Sequence, residues 1–106
     1  MNLVESYKEL GAKIIEPFSP PPLGDADLKK AKEIVNGDYV MIGGVDQVNI
    51  LQKGTADQVK RKTEETISTG KPGGKFILQS ADFLEYGTPV ENIEAYVRTA
   101  LELAGY

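Results

Sequence analysis

The chain contains neither cysteine nor histidine. That removes disulfides, thiol nucleophiles, thiolate zinc sites and imidazole bases from its own repertoire, and leaves carboxylates, lysines, tyrosines and hydroxyls for chemistry. Three groups of such residues close short apolar runs. Glu16 follows Ile14-Ile15, Asp46 and Gln47 follow Tyr39–Ile42 and its Gly43-Gly44 break, and Ser80 with Asp82 follows Phe76–Gln79. Carboxylates at the ends of adjacent parallel strands suit a cationic substrate, a metal or proton transfer. We therefore take Asp46 and Glu16 as candidate catalytic carboxylates and Asp82 as a candidate metal ligand. Gly43, Gly44, Gln47 and Ser80 are candidate substrate-binding positions.

These residues need strands to hold them. Tyr39–Ile42 is short, almost uncharged and bounded by glycines, as expected of a strand buried on both faces of a parallel sheet. Gly43-Gly44 breaks the run, either for a sharp turn or for the close approach of a ligand. Ala12–Glu16 reads as an earlier strand stopped by Pro17, and Phe76–Gln79 as a later one. The stretch from Ser19 to Gly24 is a stiff proline loop on the same side.

Helices alternate with these strands. Leu3, Tyr7 and Leu10 recur at helical spacing before Gly11. Asp25 caps a helix over Ala26–Val35 that turns inward Leu28, Ala31, Ile34 and Val35 and ends at Asn36-Gly37. Thr55-Ala56-Asp57-Gln58 is a capping-box pattern that opens a helix over Ala56–Ser68, with Val59, Thr63 and Ile67 inward. The run from Gly70 to Lys75 has the glycines of a phosphate loop but leads from a helix into a strand, the wrong order for one. Thr88-Pro89-Val90-Glu91 opens the last helix with a hydroxyl, an N1 proline and an N3 glutamate. The α-β-α-β-α-β-α order predicts an α/β domain of right-handed βα units with parallel strands.

The 106 residues make one domain over 1–106, with a modest core. A net charge of −4 with scattered lysines gives no basic stripe for nucleic acid. Apolar runs fall well short of the roughly 20 residues needed to span a membrane. The N-terminus lacks the order of a signal peptide, so a cytoplasmic location is expected.

Two stretches in order carry a resemblance. Gly43-Gly44-Val45-Asp46-Gln47 resembles the Gly-Asn-(Val/Ile/Leu)-Asp-Pro segment of the uroporphyrinogen decarboxylase family, which includes the corrinoid-dependent methyltransferases. Gly44 stands where asparagine is usual and Gln47 where proline is usual. Gly87-Thr88-Pro89-Val90-Glu91-Asn92-Ile93 resembles the Asp-Thr-Pro-x-Glu-Asn-(Ile/Val) that opens the family's last helix.

The resemblance implies a (β/α)8 TIM barrel of which this chain supplies about the last three βα units, as a C-terminal piece. It implies methyl transfer to or from a corrinoid in the parent protein, with tetrapyrrole decarboxylation or a non-catalytic assembly module as alternatives. Asp82 falls where the methyltransferase branch carries a zinc-binding cysteine and the decarboxylases a histidine in the corresponding loop. Zinc and a corrinoid are thus the cofactors implied for the parent, and the isolated chain is expected to be inactive. A three-stranded piece leaves one sheet face bare, so the partners expected are a second copy, a complementary barrel half or a corrinoid protein.

Overall fold

The computed structural model describes residues 9–11, 13–18, 20–22, 24, 27–35, 40–80 and 83–103, with the side chains of 15–18 and 35 outside that set. The predicted first helix falls almost wholly outside it, as do Asp25, the Asn36-Gly37 helix end and Asp82.

The element order is β1 (Ile14–Phe18), α1 (Leu28–Val35), β2 (Val40–Val45), a π-helical turn (Gln47–Gln52), α2 (Ala56–Gly70), β3 (Phe76–Ser80) and α3 (Val90–Leu103). Among the described residues the strands form one parallel sheet in the order β1-β2-β3. Sequential parallel order is what right-handed βα units laid side by side produce.

Two expectations are corrected. Pro17 does not stop β1, which runs on to Phe18. β1 is an edge strand, where a residue without an N–H is tolerated, and its register to β2 shifts between Ile15 and Phe18. Nor do Gly43 and Gly44 end β2. The strand passes through both, pairing Gly43 with Leu78 and Gly44 with Gln79, and ends at Val45.

The two faces of the sheet differ. Met41, Gly43 and Val45 are buried, whereas Val40, Ile42 and Gly44 are only half-buried. The ladder puts Ile14 beside Val40 and Ile77 beside Ile42. Ile14 is 58% exposed and Ile77 51%. Among the described residues one face is therefore roofed and the other more open. Under the roof, Val45, Leu51 and Val59 form the core, with Ile50, Leu78, Ala95 and Tyr96 packed on it. Helix α2 supplies Val59, Thr63 and Ile67 as its buried line, as its spacing predicted. Each fully buried apolar side chain contributes about 1.5–3 kcal/mol.

Where α2 meets β3 the backbone passes under the Phe76 ring. A Cβ on Gly70 would lie 2.5 Å from a ring carbon, so only glycine fits without a shift. The loop that follows holds a cation rather than a phosphate: the Lys32 ammonium donates to the carbonyls of Gly70 and Gly74. Partial burial lowers the pKa of that lysine.

Burial beside the core pushes the Tyr96 phenol up to about 12. The folded value lies above the unfolded one, near 10. The resulting stability is fully present below pH 10 and is lost as pH rises through 12. Urea unfolding of Tyr96→Phe between pH 9 and 12 is expected to show a smaller alkaline loss than the parent chain. Equal losses would place the phenol in water.

Candidate functional site

The site is built where β2 ends. Beyond Val45 the chain turns at once into the π-helical turn, whose first amides have no carbonyl behind them. Asp46 supplies what they lack. Its Oδ1 accepts from the Val48 and Asn49 amides, each at 2.8 Å, and its Oδ2 accepts from the Asn49 side-chain amide at 2.8 Å. The Asp46 carbonyl accepts from Leu51 N at 3.0 Å, the i→i+5 bond that makes this a π turn. The residue is 4% exposed. Its carboxylate is thus engaged as a cap, held by three uncharged amide donors.

The far end of the turn is held from another part of the chain. Asn92, 1% exposed on α3, donates to the carbonyls of Leu51 at 2.9 Å and Gly54 at 2.8 Å. Gly54 leaves no room for a side chain, since a Cβ there would sit 2.5 Å from the Ile50 carbonyl. The Gln52 side chain donates to the Tyr86 carbonyl at 3.1 Å and ties down the β3–α3 loop. The Thr88 hydroxyl donates to the Glu85 carbonyl at 2.7 Å and closes the turn into α3. Thr55 and Gln58 form the reciprocal cap of α2, as predicted.

The predicted site residues are only partly brought together. Ser80 closes β3 opposite Val45, so Ser80 and Asp46 stand at adjacent strand ends. Glu16 does not join them. It lies mid-strand in β1, two residues before Phe18, whose partner is Gly43. Since Ile15 pairs with Met41, Glu16 stands about level with Ile42, and at about 3.3 Å per residue Asp46 lies roughly 13 Å further along the strand direction. Asp82 lies outside the described residues. Gln47 is 6% exposed, and its Oε1 has no hydrogen-bond partner among the described residues.

A cleft of about 430 Å3 opens beside the β2 end, lined by Pro21, Gly44, Asp46, Asn49, Lys62 and Thr66 among others. Its rim carries both charge signs, with Lys62 paired to Glu65 at 3.2 Å. The donor set does not suit zinc: the chain has no thiolate or imidazole, and no three carboxylates cluster among the described residues. Asn49 and Asn92 are the contributors that sequence reasoning missed. Asn49 sits three residues after Asp46, within one turn of it. Asn92 lies inside the second motif, but nothing local says that its amide reaches Leu51.

Replacing Asp46 by alanine is expected to cost about 2 kcal/mol in urea unfolding, the upper end for a helix cap, because three donors lose their acceptor. Asp46→Asn should cost less, since one amide oxygen can still accept. An alanine variant as stable as the parent would contradict the cap.

Comparison with known proteins bears on the same residues. The model of the family described as Uroporphyrinogen decarboxylase (URO-D) matches residues 3–103. The methylated-thiol--coenzyme M methyltransferase of Methanosarcina mazei is 34% identical over 71 residues. That match covers 67% of this chain and 18% of the relative, so the chain spans about a fifth of that protein's length. No solved structure matches the chain. Among the described residues, no helix is long and apolar enough to cross a membrane. With the family model covering nearly the whole chain, and both motifs meeting at the capped turn, the chain belongs to the uroporphyrinogen decarboxylase family.

Proposed function

We propose that the chain supplies the C-terminal βα units of a (β/α)8 barrel that transfers a methyl group to or from a corrinoid, with a corrinoid protein as its partner in the parent reaction. The observation that carries this reading is the likeness to a methylated-thiol--coenzyme M methyltransferase. Tetrapyrrole decarboxylation is disfavoured, because the chain has no histidine to take the place of the one in the corresponding decarboxylase loop. In this reading Gly44 and Ser80 lie at the substrate end of the strands, where barrel enzymes place their chemistry. Asp46 acts there chiefly as a positioning residue, since its oxygens already hold three donors.

A second reading has its own support. Three strands cannot close a barrel, which needs about eight. Ile14 and Ile77 stand more than half exposed on one face of the sheet. An open apolar face with two sheet edges favours association. The occupant we assign is a complementary barrel half of the same family, so that the chain serves as an assembly module.

Split complementation tests both readings. The segment of the Methanosarcina mazei enzyme that precedes the matched region is expected to form a complex with this chain, seen by light scattering. The complex should regain methyl transfer from a methylated thiol to coenzyme M. A complex without activity would leave assembly and refute methyl transfer. A dispersed monomer that binds nothing would refute assembly.

A further inference from the structure

The exposed apolar side chains are not spread evenly over the molecule. Among the described residues most of the large ones belong to the last βα unit, with Phe83, Leu84 and Tyr86 in the β3–α3 loop and Val90, Val97 and Leu101 on α3. Single apolar residues on a surface need no explanation, but a row of them marks a contact surface. Val90, Val97 and Leu101 recur at the steps that keep side chains on one face of a helix. They are 70, 47 and 70% exposed. The opposite face carries Asn92 and Thr99, both buried. Helix α3 thus turns an apolar stripe away from its own fold.

The stripe stands at one particular edge of the sheet. Helix α2 packs against both α1 and α3, so the helices follow the order of the strands and α3 lies on the β3 side. The two edges are not equivalent. β1 carries Glu16 and Pro17, which blunt an edge against further pairing. β3 has neither charge nor proline along Phe76–Ser80. The unblunted edge and the apolar helix stripe therefore belong to the same side.

The charges beside the stripe select the partner. Glu94 lies within the stripe and Arg98 flanks it. Both are exposed, and neither makes an ion pair among the described residues. Laid antiparallel on a copy of itself, the stripe sets Val90 against the partner's Leu101 and Val97 against the partner's Glu94. Glu94 then comes within reach of the partner's Arg98. A two-fold axis makes each contact twice, and the same axis, normal to the sheet, runs the two β3 edges antiparallel. The surface answers itself in apolar content and in charge.

We propose that the β3–α3 edge is a self-complementary interface whose occupant is a second copy of this chain, held by antiparallel α3 helices with reciprocal Glu94–Arg98 pairs. This edge is separate from the open sheet face assigned above, and the inference rests neither on methyl transfer nor on the complementary half.

The test uses the full chain alone. Light scattering across a dilution series is expected to show twice the chain mass at the concentrated end. Glu94→Arg and Arg98→Glu each set like charges across the axis, and each should weaken self-association by about tenfold or more. Both positions are exposed, so circular dichroism should show the parent's helix content in either variant. Mixing the two variants should restore a dimer, because one then offers arginines and the other glutamates. An effect confined to a single helix would gain nothing from mixing. The parent chain labelled with 15N gives a second readout: the amides of Val90, Val97 and Leu101 should shift with concentration and that of Val59 should not. A parent chain that stays monomeric overturns the proposal. So do folded variants that associate as tightly as the parent, a mixture that stays monomeric, or concentration-dependent shifts that fall elsewhere. None of these results bears on methyl transfer, which is judged by complementation.

Discussion

A chain that leaves a buried strand and turns at once into a helix strands amides at one end of the turn and carbonyls at the other, with no water nearby to satisfy them. This constraint shapes the molecule around Asp46. The carboxylate collects the amides of Val48 and Asn49, and Asn92 collects the carbonyls of Leu51 and Gly54. Between these two clamps lies Leu51, part of the core with Val45 and Val59. The β2 end, the start of α2 and the start of α3 thereby form one unit. The turn that follows the first stretch of family likeness is hydrogen-bonded to Asn92 of the second.

That arrangement changes what the carboxylate is for. Asp46 drew attention as a charge facing a ligand, yet its oxygens are occupied by the backbone and by Asn49. It shapes the site more than it reacts in it. Its former companion Glu16 stands mid-strand on β1 and does not share the strand end. What remains for a ligand at the β2 end is the cleft beside Gly44 and Asn49. The sheet adds a second consequence. Its roofed face holds the core, while its other face shows Ile14 and Ile77. In a closed barrel such a face fills the interior.

Much of this was legible in the sequence where local chemistry decides the outcome. Thr55 and Gln58 announce their reciprocal cap three residues apart, and Val59, Thr63 and Ile67 announce the buried line of α2. The parallel order follows from alternating strand and helix patterns. The misses have tertiary causes. Pro17 reads as a strand stop until β1 is known to be an edge. Gly43 and Gly44 read as a break until their ladder partners Leu78 and Gln79 are known. The π turn needs the Asp46 carbonyl to reach Leu51, and Asn92 acts on a residue 41 positions away. No periodicity reports contacts of that kind.

Asn92 on α3 holds the turn that Asp46 opens. Native-state hydrogen exchange on Asn92→Ala tests it most directly. The amides of Val48 and Asn49 should lose protection by about tenfold more than the Val59 amide in the core of α2, a difference of about 1.4 kcal/mol. Protection at Val48 and Asn49 that stays unchanged, or that falls only in step with Val59, would contradict the account.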